Sequence, residues 1–447
     1  MHDTLWASWW VLTVLLCGWK LAEGFWNPRR MLEWPFLACA MWIYFYGYMA
    51  YKAQTTLSAY LGNGMSDIGQ LMALLCLVGL LAGWSLGKRI PLKVATREQT
   101  YPYFYCWCAG FFFMLLGAIG NYSVSHTIDE GEMNFQTASA YWYLLYYVGY
   151  PGLAIALWAG IKIKTPSRYV LWVLTLAGLV AFMLPQVESA RRGPLFPAVI
   201  ALILVPPLTL RRPPNRVVYC AGLLGAGIVM LLFVQVRETI YNGGTWGEAF
   251  QKLDVDDAVI SRGGDADDNE YVNNCQVIAT IYQNGKYEYG TGHLELFVHW
   301  VPRALWWNKP TIGEGVYSFK DMFDDVEKNT GVRLLGFGAS AAGVADSFTQ
   351  YGILCPLYWF ALAFGLGVVY ARVLRTGSPW WMFSYVGFCC STHWLISQSF
   401  AAAFVPCMYF QLIPLSVLWS LWLYRRWSVV PRKVGPRRPL AARALPS

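Results

Sequence analysis

The sequence DIGQLMALLCLVGLLAGWSL, at residues 67–86, decides the class of fold. It is apolar over about 20 residues, the length at which an α-helix crosses the hydrocarbon core of a bilayer. Two basic residues, Lys88 and Arg89, follow it almost directly. An apolar segment of this length that ends in basic residues is typical of a membrane-spanning helix.

The same pattern recurs along the chain and predicts an all-α polytopic membrane protein. The composition agrees, because 56% of the residues are hydrophobic and only 13% are charged, against about 25% charged in soluble domains. Three prolines, Pro197, Pro206 and Pro207, predict that the seventh span is broken or tilted. The sequence predicts about eleven spans, at residues 5–22, 34–51, 67–86, 101–120, 140–160, 169–187, 195–210, 216–236, 348–371, 380–399 and 402–424.

Charge alternates between the loops that connect these spans. Loops on one side are rich in arginine and lysine, whereas loops on the other side hold Asp129, Glu130 and Glu132 and then the large acidic loop. Because basic loops remain in the cytoplasm, the N-terminus is predicted outside and the C-terminus in the cytoplasm. The net charge of +8 therefore reflects topology and does not indicate nucleic-acid binding.

The predicted spans divide the chain into four parts. Only one of the 11 cysteines, Cys275, lies in the large polar loop, and nearly all the others lie in apolar segments, so a disulfide framework is not expected. The parts are an N-terminal bundle of about eight spans at 1–236, an extracytoplasmic loop at 237–347, the last transmembrane helices at 348–424 and a basic cytoplasmic tail at 425–447.

Two arginines contradict the charge pattern. Arg191 and Arg192 lie in a short loop that is predicted to be outside. Either Glu188 and lipid phosphates neutralise them, or they form an anion site, since guanidinium groups bind phosphate through two hydrogen bonds. The same two interpretations, an anchor at the headgroup level or a ligand for an anion, apply to Arg237, Arg303 and Lys309.

The large loop carries an acidic run, Asp265-Ala266-Asp267-Asp268-Asn269-Glu270. A calcium loop needs glycine at its sixth position and glutamate at its twelfth, where this chain has Glu270 and Gln276. The D-x-D at 265–267 also occurs in nucleotide-sugar transferases, although a solvated acidic loop is the simpler interpretation. The sequence therefore predicts no metal site and no cofactor.

Two short segments of this loop have helical character. Residues 269–284 have apolar positions at helical spacing, and residues 293–301 are apolar but too short to span the membrane. His293 and His299 lie six residues apart, which does not place them on one helical face, so both are interpreted as structural. Asp346 follows the glycine-rich sequence around Arg333, at the outer end of the ninth span. A carboxylate at such a position is a functional candidate, although capping of that helix explains it equally well.

Together these features resemble the bacterial oligosaccharide repeat-unit polymerases (O-antigen polymerases of the Wzy type). The resemblance is carried by the many spans with one dominant late outer loop and by three motifs. Family members often have glutamate at the position of Asp346, and the R-x10-G pattern of some members does not start from Arg191, Arg237 or Arg303. The motifs are Ser189-Ala190-Arg191-Arg192-Gly193, then Pro302-Arg303…Trp306…Lys309-Pro310, and Gly336…Gly343…Asp346…Phe348…Tyr351-Gly352.

The resemblance implies an inner-membrane glycosyltransferase of GT-C-like architecture. Such an enzyme moves a growing glycan from undecaprenyl pyrophosphate onto a new lipid-linked repeat unit, with a flippase and a chain-length regulator acting alongside. Asp346 or Glu314 would accept the proton of the attacking sugar hydroxyl. The candidates for holding the pyrophosphate are Arg191, Arg192, Arg237, Arg303, Lys309 and Arg333.

Three other functions compete with this one. An O-antigen ligase-like enzyme uses the same donor with a different acceptor, and an outer-loop histidine such as His293 or His299 would favour it. A lipid-linked oligosaccharide flippase or transporter predicts charges within the spans and two repeated halves, neither of which is evident. A non-enzymatic assembly scaffold would not need arginines on the outer side.

Overall fold

The computed structural model describes residues 2–53, 63–91, 101–127, 142, 145–188, 195–241, 244–251, 270–298, 324–325, 327–328 and 342–428. In these residues the chain forms helices and no strand. A π-helix (Ile43–Tyr48) extends α2, and a 3-10 helix (Gly352–Leu354) joins α12 to α13. The α-helices are α1 (His2–Trp26), α2 (Trp34–Trp42), α3 (Asn63–Gly87), α4 (Tyr103–Thr127), α5 (Gly149–Lys162), α6 (Arg168–Glu188), α7 (Leu195–Leu210), α8 (Arg216–Tyr241), α9 (Trp246–Gln251), α10 (Glu270–Asn284), α11 (Thr291–Val298), α12 (Gly343–Tyr351), α13 (Cys355–Thr376), α14 (Pro379–Cys390), α15 (Thr392–Ser397) and α16 (Phe400–Ser428).

Several of these helices are suited to a membrane. Within the described residues, six helical segments are long and apolar enough to cross a bilayer. The prediction of an all-α chain with membrane-spanning helices is confirmed at this level, while the count of eleven stays a prediction. The six segments are Leu5–Trp26, Ser66–Arg89, Tyr103–Val124, Arg168–Glu188, Gly343–Thr376 and Phe400–Tyr424.

The interruption of the predicted spans lies at a glycine of the ninth span and not at the prolines of the seventh. The seventh predicted span is one continuous helix, α7, so the expectation of a break there was wrong. Pro197 lies in its first turn, where no backbone donor is needed, and Pro206 and Pro207 lie near its end. The ninth predicted span is interrupted instead, because Gly352 has φ +57 and separates α12 from α13.

Helices α3 and α13 pack closely against each other. Side chains added at Gly79, Gly83 and Gly87 would clash with the backbone of Pro356, Phe360 and Phe364 respectively. The contacts advance by four residues on both helices, so the two helices run in the same direction. A glycine at every fourth position lets two helix backbones approach closely, as in small-xxx-small packing of membrane helices.

Helix α10, from the large polar loop, is buried in the bundle. It packs against α3 and α12, and even its polar side chains Asn274, Gln276 and Thr280 are buried. A Cβ at Gly69 of α3 would lie 2.6 Å from the Sγ of Cys275. Burial raises the pKa of the Cys275 thiol to about 12.

This burial predicts that Cys275 resists alkylation. Thiolate is the reactive form of cysteine, and the raised pKa keeps the thiol protonated at pH 8. We expect maleimide to leave Cys275 unmodified in native membranes and to modify it fully after denaturation in SDS, as measured by peptide mass spectrometry. A Tyr289→Cys variant is the control, because Tyr289 is exposed nearby. Equal labelling of both positions would mean that α10 lies outside the bundle.

Candidate active site

A tight turn between α10 and α11 presents His293. Gly290 has φ +85 and Tyr289 has φ +51, and the turn is joined to α12 because the Glu288 N–H donates to the carbonyl oxygen of Thr349 over 3.0 Å. The side chains of Gln350 and Glu288 are also hydrogen-bonded. Helix α11 therefore begins at a fixed position beside α12, with His293 in its first turn.

His293 is the centre of a compact polar and aromatic cluster. Its Nε2 lies 3.3 Å from the Oδ2 of Asp346, and its Nδ1 lies 3.1 Å from the hydroxyl of Tyr351. The ring centroids of Tyr358 and Phe400 lie 5.0 Å and 4.8 Å from that of the imidazole. The His293 side chain is only 10% exposed, so these contacts fix the orientation of the imidazole.

Asp346 joins three helices at one point. It lies in the first turn of α12, and its Oδ2 accepts the backbone N–H of Phe400 over 2.9 Å. It therefore satisfies a donor at the start of α16 and does not cap its own helix, where Ala342 is the N-cap without a side-chain hydrogen bond. Two helix N-termini near the carboxylate stabilise its negative charge.

Other elements hold the start of α12 in place. The N–H of Ala345 donates to the Oδ1 of Asn274 over 2.9 Å, and the N–H of Val344 donates to the Tyr46 hydroxyl over 3.3 Å. Tyr46 belongs to the π-helix, a feature that often marks functional sites. A side chain at Gly343 would clash with the carbonyl oxygen of Leu395. The position of Asp346 is thus determined by α10, the π-helix and α15.

A buried chain of hydrogen bonds holds α10, which contacts the start of α12, against α1 and α3. The Nε1 of Trp6 donates to the Tyr271 hydroxyl over 3.2 Å, and that hydroxyl donates to the Oε1 of Gln70 over 2.8 Å. Gln70 in turn donates to the Thr13 hydroxyl over 3.3 Å. Buried networks of this kind rigidify the elements that they connect, here α1, α3 and α10.

The cluster can bind and release a proton. If Nε2–H donates to Asp346, Nδ1 is free of hydrogen and accepts from the Tyr351 hydroxyl. An imidazole that is oriented by a carboxylate is the arrangement of a general base, because the carboxylate stabilises the imidazolium that forms. Within the described residues, no group of three His, Cys, Asp or Glu side chains could hold a metal ion.

The structure places only part of the predicted site. Asp346 lies in the cluster, and Arg237 lies on α8. The sequence analysis interprets His293 as structural, but His293 contacts Asp346. No spacing signal could reveal this contact, because the two residues are 53 positions apart. His299 lies outside the described residues. So do Arg191, Arg192, Arg303, Lys309, Glu314 and Arg333.

Comparisons with known proteins add no family: no family model, no curated protein and no solved structure matches this chain.

Proposed function

We propose that this chain is a glycosyltransferase of the bacterial inner membrane that polymerises undecaprenyl-pyrophosphate-linked oligosaccharide units at the outer face. The observation that carries the proposal is the contact of His293 with Asp346 beside Tyr351. It supplies a base at the start of a membrane-spanning segment, Gly343–Thr376, next to the large polar loop. The proposed architecture has eleven spans and is GT-C-like.

The distribution of charge supports the proposed orientation. Asp346 precedes α13, and Arg375 lies in the last turn of α13. This helix has 22 residues, so about 30 Å separates its two ends. Lys88 and Arg29 lie near Arg375, and basic residues favour the cytoplasmic side. His293 and Asp346 then face outward, with the N-terminus outside and the C-terminus in the cytoplasm.

The proposed reaction uses the cluster as follows. A sugar hydroxyl of the acceptor forms a bond to the anomeric carbon of the donor, and undecaprenyl pyrophosphate leaves with the electron pair of the broken C–O bond. The hydroxyl proton passes to the Tyr351 oxygen while the Tyr351 proton passes to Nδ1 of His293. Asp346 stabilises the imidazolium until the proton returns to water.

Cations are the second requirement of this reaction. The leaving pyrophosphate carries several negative charges, and fixed positive groups lower the barrier to its departure. In this proposal the groups that bind it come from Arg191, Arg192, Arg237, Arg303, Lys309 and Arg333. They supply the electrostatic stabilisation, while the proton transfer belongs to His293 and Asp346.

A second candidate function is transfer of the finished glycan to a different acceptor, as in an O-antigen ligase. One observation favours it: a histidine of the large loop, His293, contacts a carboxylate. The same chemistry of donor and base applies to both functions. Only the acceptor differs, so the products in the cell distinguish them.

A deletion strain of the source bacterium tests the proposal. Loss of long surface polysaccharide, with single repeat units still reaching the surface, is the expected result on a glycan gel. Complementation with Arg191→Ala or Arg192→Ala, at normal protein level, should fail to restore long polymer. Full-length polymer that stays on its lipid carrier would favour the ligase function. An unchanged polysaccharide profile would overturn both.

A further inference from the structure

A buried ion-pair network lies at the opposite end of α13 from Asp346. Glu33 is only 4% exposed, and its carboxylate accepts from Lys88 Nζ over 2.7 Å and from Trp84 Nε1 over 3.1 Å. Lys20 Nζ lies 3.6 Å away. A buried carboxylate must be paired and hydrogen-bonded, so Glu33 fixes the start of α2 against α1 and the end of α3.

A cavity of about 340 Å³ lies beside this network. Among the residues that the structure describes, Arg29, Arg30, Lys88 and Arg375 line it together with a single carboxylate, that of Glu33. Four cations thus face one anion, and they come from three separate elements: the α1–α2 connection, the end of α3 and the last turn of α13. The electrostatic potential in such a cavity attracts anions.

Two of these cations have no acidic partner among the described residues. Arg30 pairs with Glu23, and Lys88 pairs with Glu33. In the part of the chain that the structure describes, no carboxylate lies within ion-pair distance of Arg29 or Arg375. Arg375 donates to the backbone carbonyl of Ile90 over 3.1 Å. The planar guanidinium group matches a phosphate through paired hydrogen bonds.

We propose that this cavity binds an anionic phosphate group through Arg29 and Arg375. Its surroundings favour the headgroup of an anionic lipid over a free phosphate. Trp26, at the end of α1, is largely exposed, as aromatic residues at the headgroup level are. Leu374 is an exposed apolar residue of the cavity lining, where it can contact the lipid beyond the phosphate. Basic pockets between membrane helices bind such headgroups.

Native mass spectrometry of the delipidated full-length protein tests the site. The probes are phosphatidylglycerol, the zwitterionic phosphatidylcholine, and inorganic phosphate. We expect a phosphatidylglycerol adduct that is weakened roughly thirty-fold by the Arg29→Gln/Arg375→Gln double variant, since each cation near the surface contributes to binding. The control is Arg168→Gln/Arg212→Gln, which removes the same charge from residues outside the cavity.

Each outcome has a definite meaning. Weakened phosphatidylglycerol binding in the cavity variant alone supports a lipid site. If the cavity variant also loses binding of inorganic phosphate, by the same factor as it loses phosphatidylglycerol, the cavity is still a phosphate site but its ligand is a soluble anion. Equal binding by the cavity and control variants, or equal binding of phosphatidylcholine by the wild type, overturns the proposal. Both variants must elute as folded protein in gel filtration, and if the cavity pair does not, the two single variants are measured instead.

Discussion

His293→Ala should abolish glycan polymerisation in a complemented deletion strain. A positioned general base accelerates proton transfer by roughly 10²–10⁴-fold, and without the imidazole the Tyr351 hydroxyl loses its proton acceptor at 3.1 Å. Asp346→Asn should reduce activity less, because the imidazole remains but its imidazolium loses a negative neighbour at 3.3 Å. Tyr351→Phe should also abolish polymer formation, since the proton reaches Nδ1 of His293 through the Tyr351 hydroxyl, which lies 3.1 Å away. Polymer length on a glycan gel is the readout.

Controls separate chemistry from folding in this series. His293 is buried, so removal of its ring leaves a cavity, and His293→Gln is the second variant because it keeps most of the volume. Leu294→Ala is the matched control: it lies on the same helix turn but is exposed, and it should retain full activity. If His293→Gln formed wild-type polymer at wild-type protein level, the imidazole would have no role in the reaction.

Gly83→Leu should prevent the protein from folding. A Cβ at Gly83 would already clash with the carbonyl oxygen of Phe360 and would lie 2.9 Å from its carbonyl carbon. Because these are backbone atoms, the clash cannot be relieved by a side-chain rotation, and α3 and α13 must separate. Separation also disturbs the neighbouring contacts at Gly79 and Gly87. We expect no monodisperse peak in fluorescence-detected gel filtration.

The smaller substitution gives a graded test of the same contact. Gly83→Ala should lower stability by about 1–3 kcal/mol, the usual cost of overpacking, and should lower the melting temperature. Gly365→Ala is the control on α13, where nothing lies within 4 Å of the added Cβ, and it should be neutral or stabilising by up to about 1 kcal/mol. Equal melting temperatures for the two variants would contradict the close packing of α3 with α13.

The sequence predicts helices better than it predicts contacts between them. Long apolar segments such as 67–86 identify membrane-spanning helices because their length and composition alone decide the matter. The helical spacing at 269–284 also predicts α10 correctly. Its burial could not be predicted, because Asn274, Gln276 and Thr280 are polar and their surroundings are supplied by α3 and α12.

In the candidate site, too, single residues could be predicted from the sequence but their contacts could not. Asp346 could be selected because a carboxylate at the end of an apolar segment is unusual. His293 could not, since its significance comes from a contact with residues 53 and 58 positions away. The glycines at 79, 83 and 87 do have a readable four-residue spacing. Their partner, the backbone of α13, is identified only by the fold.

The most direct test of the central claim is a reaction with purified protein. Proteoliposomes would receive undecaprenyl-pyrophosphate-linked repeat units, and mass spectrometry would measure both glycan length and free undecaprenyl pyrophosphate. We predict products of two or more units, with one undecaprenyl pyrophosphate released for each new bond, and no product with His293→Gln. Units that cross the bilayer chemically unchanged, with no pyrophosphate carrier released, would contradict a glycosyltransferase and identify a transporter.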